Sequence, residues 1–310
     1  MVKVFIDGKE GTTGLRIWER LQGRDDISLI TLPEELRKDK SARKEAIHSA
    51  DTVFLCLPDS AAIEAVELAE GSDTRIIDAS TAHRTADGWD YGFAELSSEM
   101  REKIAVSKRV ANPGCHASGF ISLVRPLVAE GILPADALLS CHSITGYSGG
   151  GKKMIAQYEA AVDDVLLSSP RQYALGQTHK HLPEMKKLSG IEYAPVFSPI
   201  VSDFYSGMEV TVPLHKSQLC AGKTIEDIKS VYKALYTGPV VTYKESCDEG
   251  GFLSSTAVCG KDSMEISVFG NDDRIILVSR YDNLGKGASG AAVQCFNIMH
   301  GFDETLSLEL

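Results

Sequence analysis

The sequence predicts an α/β protein in two parts: a doubly wound parallel sheet, then a second α+β domain with a mixed or antiparallel sheet. Three observations carry that expectation. The first 110 residues alternate short apolar runs with amphipathic stretches, the pattern of strands joined by crossover helices. A glycine-rich turn directly follows the first apolar run. Beyond residue 137 strand-like runs crowd together, and several alternate apolar and polar residues as half-exposed strands do.

Taken in order, residues 2–7 read as a buried strand, 12–21 as a helix and 27–32 as a second strand. A short helix at 41–48 leads to a third strand at 52–57, stopped by Pro58 and Asp59. Asp59 or Ser60 is expected to cap a helix running to about residue 70, and 75–79 reads as a fourth strand. Val110 and Ala111 close one more strand and deliver the chain into Asn112-Pro113-Gly114-Cys115, followed by a helix over 116–129. Strands are then expected at 138–145, 194–200, 207–214, 240–243, 264–269 and 274–281, interrupted by helices at 153–167 and 224–236. The small apolar run 287–300 predicts a final helix returning to the first domain. The expected domains are 1–114 with 284–310, and 115–283.

Composition bounds the function. The chain has 310 residues with 43% hydrophobic and 24% charged, enough for a large core. A net charge of −11 disfavours binding to nucleic acid, which rewards basic patches. No run is long and apolar enough for a membrane span, and no leader pattern opens the chain, so the cytoplasm is expected. The seven cysteines are odd in number and widely spaced, without a CxxC, which argues against disulfides and zinc ribbons.

Gly8, Gly11 and Gly14 form a GxxGxxG turn between strand and helix. Such a turn lets the backbone approach a pyrophosphate at a helix N-terminus, and Thr12 and Thr13 add hydroxyls, so a Rossmann-like dinucleotide site is expected here. The second strand ends in Thr31-Leu32-Pro33, without the acid that would hold the ribose of NAD. Arg37, Lys38 and Lys40 follow, which favours NADP(H) over NAD; the competing reading is a solvated basic loop.

Cys115 opens a helix after a Pro-Gly turn. A helix N-terminus stabilises a thiolate, and the neighbouring N–H groups suit an oxyanion. Cys56, Cys141 and Cys259 are expected within apolar strands and Cys295 on an apolar helix, as small buried residues; Cys220 and Cys247 fall in polar loops. His179 and His181 lie on one side of a stretch read as extended. Without a third and fourth ligand they do not predict a metal site. The turn Gly146–Lys153, with Ser148, Gly149 and Lys152, suits a phosphate or carboxylate, as does Arg84 just past the fourth strand; a solvated turn is the alternative.

These segments together resemble the N-acetyl-γ-glutamyl-phosphate reductases of arginine biosynthesis, the shorter type in length. The resemblance rests on FIDGKEGTTGL at 5–15, LCLPD at 55–59, DASTAHR at 78–84, YGFAE at 91–95 and VANPGC at 110–115. It continues through ITGYSGGGK at 144–152, THKHLPEM at 178–185 and DNLGKGASGAAVQ at 282–294. It implies an NADP(H)-dependent acyl-phosphate reductase in which Cys115 forms a thioester and one histidine is its acid/base partner. His179 is favoured, with Glu184 orienting the ring, and His181 placed with Arg84, Ser148, Gly149 and Lys152 around the substrate. Ser80, Asn283 and Gly287 join the glycine loop around the cofactor, and a homodimer or homotetramer is implied. Two places depart from the pattern: His116-Ala117-Ser118 follows the cysteine where the family often has Tyr-Pro-Thr, and His83 stands for Phe. The competing readings are an aspartate-semialdehyde dehydrogenase-like reductase, a non-catalytic dinucleotide-sensing protein and a cysteine hydrolase.

Overall fold

The structure, a computed structural model, describes residues 1–160 and 164–310. The chain divides into two compact units, one comprising 1–94, 98–113 and 288–308, the other 95–97, 114–287 and 309–310.

The first unit is a six-stranded sheet whose paired strands are all parallel. Its strands are β1 (Val2–Asp7), β2 (Ile27–Ile30), β3 (Thr52–Leu55), β4 (Arg75–Asp78), β5 (Asp90–Tyr91) and β6 (Arg109–Ala111), in the order β2-β1-β3-β4-β6-β5. Its helices are α1 (Thr12–Leu21), α2 (Lys40–Ser49), α3 (Asp59–Leu68) and α4 (Ser98–Val106). Successive side chains of a strand point to opposite faces, so each strand feeds two cores. Val4, Ile6, Phe54 and Ile77 pack with Ile17 and Leu21 of α1 and Ile104 of α4. Phe5, Val53, Leu55 and Ile76 pack with Ala46 and Ile47 of α2 and Ala62 and Ala65 of α3. Continuous apolar runs in the sequence are the signature of this two-sided burial.

Asp59 does not cap α3. Pro58 holds the N-cap position, and the Asp59 carboxylate accepts the Thr81 N–H at 2.9 Å.

The second unit opens with α5 (Cys115–Ala129), whose face towards the sheet is free of charged side chains. A Cβ on Gly119 would come within 2.5 Å of Val210 and 2.6 Å of the Tyr281 hydroxyl, so glycine is what lets this helix lie directly on its sheet. The sheet has seven strands: β7 (Ser140–Gly146), β8 (Arg171–Gln172), β9 (Val196–Ser202), β10 (Met208–His215), β11 (Val241–Tyr243), β12 (Met264–Gly270) and β13 (Arg274–Tyr281). It runs β11-β12-β13-β10-β7-β9-β8 and is mixed, with parallel pairs at β7–β9 and β11–β12.

The helix expected over 153–167 is replaced by α6 (Gly151–Ala160) and the single turn α7 (Val165–Ser168); residues 161–163 of that expectation lie outside the described residues. The segment read as extended around the paired histidines is instead a turn that enters α8 (Leu182–Ser189), with Pro183 in its first turn. Helix α9 (Ile225–Leu235) begins with a reciprocal Thr224–Asp227 capping box and is fastened to α5 by buried tyrosines. Tyr232 donates to the Leu123 carbonyl at 2.5 Å and Tyr236 to the Ser122 carbonyl at 2.6 Å.

The last helix, α10 (Gly290–Met299), belongs to the first unit, where Ala292, Val293, Phe296 and Met299 complete the core on the α1 side. Among the described residues no helix is long and apolar enough to cross a membrane.

Candidate active site

In the second unit Cys115 is the first residue of α5. Gly114 takes the N-cap position without a side-chain cap, so the opening N–H groups and the helix dipole favour an anion at the sulfur's end of the helix. The turn is held from several sides. Gly114 N–H donates to Glu184 Oε1 at 2.8 Å, which ties that buried carboxylate of α8 to the residue before Cys115. The Tyr281 hydroxyl donates to the Cys115 carbonyl at 2.6 Å and accepts the Gly119 N–H at 3.0 Å. A Cβ on Gly287 would lie 3.1 Å from that of Cys115, so the loop before α10 closes tightly on the same residue.

None of the seven cysteines forms a disulfide. Burial pushes the thiols of Cys56, Cys141 and Cys247 up, away from reactivity at neutral pH. Cys259 is not in a strand, as expected from the sequence, but exposed in a turn.

A group of rings gathers around His116, the residue after Cys115. His179 and His181 sit edge to face with centroids 4.7 Å apart. The His181 N–H donates to His179 Nδ1 at 3.2 Å, which places the proton of a neutral His179 on Nε2. His116 is buried against His179 at 5.7 Å, His181 at 5.5 Å and Phe197 at 5.3 Å. Its Nδ1 lies 2.6 Å from Ser143 Oγ and its Nε2 2.7 Å from the Tyr173 hydroxyl. Burial first, then the nearby His179, push the His116 pKa down to about 3, so the ring is neutral. Burial and the neighbouring Cys115 raise the Tyr173 phenol. No group of three or more His, Cys, Asp or Glu side chains among the described residues is arranged to hold a metal ion.

The glycine turn of this unit spans Tyr147–Gly150 and continues into α6. Ser148 is buried and accepts from Asn283 Nδ2 at 2.9 Å, while Asn283 Oδ1 accepts the Gly207 N–H at 2.9 Å. Asn283 therefore uses both ends of its amide to tie the Ser148–Gly149 turn to the start of β10. Lys152 is exposed on the first turn of α6.

The first unit carries the glycine loop and Ser80; Asn283 and Gly287, also expected around the cofactor, lie in the second. Gly8 has φ +87°, and a Cβ there would lie 2.3 Å from the Cys56 carbonyl; one on Gly14 would lie 2.5 Å from the Gly8 carbonyl. Glycine is the side chain that fits this cradle, and Gly11 is the N-cap of α1, with Thr12 and Thr13 its first residues. The loop borders a cavity of about 330 Å³ lined by Gly8, Lys9, Trp18, Leu32, Arg37 and Lys38. These residues fit a dinucleotide: backbone N–H groups for the pyrophosphate, and cations past β2 where an acid would serve NAD. Lys40 points elsewhere and pairs with Glu64 at 2.5 Å.

Ser80 donates to Asp78 Oδ2 at 2.7 Å through its hydroxyl and to Oδ1 at 2.9 Å through its N–H. His83 donates through Nδ1 to Asp78 at 2.6 Å and stacks on Trp89 at 4.2 Å; a Phe there could stack but not donate. Arg84 donates to the carbonyls of Asn112 at 3.0 Å and Ala79 at 3.1 Å, bracing the strand that leads to the nucleophile.

Sequence reasoning missed Tyr173, Ser143 and Tyr281. Tyr173 lies six residues before His179, outside the segment singled out at 178–185, and nothing in the sequence ties it to Ser143, which is thirty residues away on β7.

Comparison with known proteins agrees with this geometry. Residues 115–283 match the semialdehyde dehydrogenase dimerisation domain, and 25–105 match the semialdehyde dehydrogenase NAD-binding domain. The chain is 45% identical to N-acetyl-γ-glutamyl-phosphate reductase 2 of Nostoc, covering 99% of both chains. It is 46% identical to the N-acetyl-γ-glutamyl-phosphate reductase of Brucella ovis over 96% of this chain and 99% of that one. Among solved structures, aspartate semialdehyde dehydrogenase II of Vibrio cholerae, complexed with ASA, superposes with a TM-score of 0.72 at 15% identity, over 97% and 98% of the two chains. The aspartate semialdehyde dehydrogenase of Francisella tularensis gives 0.72 at 16% identity, over 97% and 100%. At such identities the structures share the fold alone, whereas the curated relatives settle kinship: the chain belongs to the N-acetyl-γ-glutamyl-phosphate reductase family, built on the semialdehyde dehydrogenase fold.

Proposed function

We propose that the chain reduces N-acetyl-γ-glutamyl phosphate to N-acetylglutamate semialdehyde and phosphate in arginine biosynthesis, with NADPH as reductant and Cys115 as the covalent carrier. The observation that carries this reading is Cys115 at the start of α5, with no side-chain cap, Glu184 holding Gly114, and two histidine rings in the same unit.

The thiolate attacks the γ-carbonyl carbon, forming a C–S bond and breaking the bond to phosphate, so one difficult substitution becomes two easier steps. His179 takes the thiol proton and passes it to the departing phosphate. Accepting that proton on Nε2 requires the neutral ring to release the His181 N–H from Nδ1. When bound, the nicotinamide supplies the hydride that reduces the thioester carbon. The N–H groups at the start of α5 stabilise the resulting oxyanion, which reforms a carbonyl and expels the Cys115 sulfur. Lys152, the Ser148–Gly149 turn and Arg84 are our candidates for the anionic groups of the substrate.

Arg37 and Lys38 on the cavity wall favour the 2′-phosphate of NADP. Replacing both by Ala should raise KM for NADPH at least tenfold and leave KM for NADH unchanged; equal effects on both would reject the assignment. We further propose a homodimer or homotetramer formed through the sheet of the second unit, in line with its match to a semialdehyde dehydrogenase dimerisation domain; light scattering tests it. The compartment we assign is the cytoplasm, where thiols that are not joined in disulfides are stable.

The reverse reaction tests the whole reading. Supplied with N-acetylglutamate semialdehyde and NADP, the protein should form NADPH only when inorganic phosphate is present. Oxidation to the free acid without phosphate would reject the thioester route.

A further inference from the structure

The segment that carries the paired histidines leaves its sheet through a strained turn. β8 ends at Gln172, and Tyr173 still follows the ladder, its N–H donating to the Pro199 carbonyl of β9 at 3.0 Å. The chain then folds into the turn Ala174-Leu175-Gly176-Gln177, closed by the Gln177 N–H on the Ala174 carbonyl at 3.0 Å. Ala174 and Gln177 both have a φ of 53°, a left-handed conformation that a Cβ makes costly. Such conformations persist where the surroundings over-determine them, and they gather at functional sites. Here the side chain of Gln177 supplies the restraint. Its Nε2 donates to the Phe197 carbonyl at 2.7 Å, and its Oε1 accepts the Phe197 N–H at 2.9 Å. An amide has a donor end and an acceptor end, so it pairs with a backbone N–H and C=O as another strand would; a carboxylate or a hydrocarbon side chain cannot. Gln177 is exposed, so core packing does not call for a glutamine there.

The two bonds join the segments whose rings flank His179. Tyr173, just before the turn, has its ring centroid 5.9 Å from that of His179. Phe197, the residue gripped, meets the His179 ring at 5.2 Å with the planes 70° apart, and is itself buried against His116 at 5.3 Å. His179 follows Gln177 by two residues. We infer that Gln177 is a positioning residue for His179: by fastening its own turn to Phe197, it fixes the place of the imidazole between the Tyr173 and Phe197 rings. The inference rests on the reading of His179 as the acid/base partner of Cys115. A proton-transfer group held out of place costs rate, whereas the affinity for substrate is set by other residues.

The test is a double-mutant cycle in the full chain, read as kcat and KM of the reverse reaction with N-acetylglutamate semialdehyde, NADP and phosphate. Gln177→Gly removes both bonds to Phe197 and relieves the left-handed φ, so the backbone loses strain rather than gaining it; thermal melts check folding. It should lower kcat roughly tenfold and leave KM within about twofold. Gln177→Asn also tolerates a positive φ, but its amide is one methylene too short to span both groups, so kcat should fall in the same direction. In the His179→Asn background Gln177→Gly should change kcat by less than about twofold, because the ring it positions is gone. A wild-type kcat in either Gln177 variant overturns the inference. Equal losses from Gln177→Gly in the two backgrounds also overturn it, since Gln177 would then act by a route other than His179. A wild-type kcat in His179→Asn alone overturns the reading of His179 itself, and the inference with it.

Discussion

Cys115→Ser replaces a thiolate by a hydroxyl that the helix terminus cannot ionise near pH 7, so turnover should vanish. The glycine loop expected to hold the pyrophosphate lies in the other unit, so NADPH binding, followed by its fluorescence, should stay near wild type; wild-type-like activity in the mutant would sink the assignment. His179→Asn should cost roughly 10²–10⁴ in kcat if its ring carries the proton, and a matching loss in His181→Asn with none in His179→Asn would reverse the two roles. His116 adds a pH signature. Its folded pKa of about 3 lies below its ordinary 6.5, so the unfolded chain binds the extra proton first. Stability from this group is complete above pH 6.5 and lost as the pH falls towards 3. His116→Phe should flatten that part of the acid unfolding curve, measured by fluorescence. Cys115 stood out in the sequence because Pro113 and Gly114 before it mark the turn that opens α5. Tyr173 and Ser143 did not, because their link to the site runs through space by way of His116.

At the scale of elements, β1 ends in a buried ion pair. Arg43 of α2 donates to Asp7 at 3.0 and 2.9 Å and to Glu64 at 2.7 Å, fastening the helix over the glycine loop. Burial pushes the Asp7 carboxyl up against the pull of Arg43. Arg43→Met would strand that carboxylate, at a cost of roughly 3–5 kcal/mol. The Asp7 pKa then rises further, so the loss, read from urea unfolding, should grow with pH as the unfolded carboxyl ionises and the folded one resists. Helix α1 matched its sequence expectation residue for residue because its apolar stripe is regular and a glycine turn precedes it. Helix α8 was missed because it has only eight residues, and Pro183, which starts it, was taken with the flanking histidines as part of an extended run. Strands β5 and β8, two residues each, are shorter than any periodicity can register.

At the scale of the molecule, the chain crosses between its two units repeatedly, and the crossings carry specific bonds. Glu95 belongs to the second unit although its neighbours belong to the first, and it pairs with the buried Lys286 at 2.7 Å. At the far end Asp262 and Glu309 exchange backbone and carboxylate bonds. A fragment of residues 114–287 lacks both partners. It should melt well below the full protein by circular dichroism, because the ion pair of Lys286 with Glu95 is lost.

Because α10 closes a core shared with β1 and α1, the first unit begins synthesis and cannot finish folding until nearly the whole polypeptide has left the ribosome. At 5–20 residues per second, the stretch between β6 and the end of α10 takes about 10–40 s to make. For that interval the part of the sheet's apolar face that α10 covers stays bare, and the middle of the chain has the chance to fold before the beginning does.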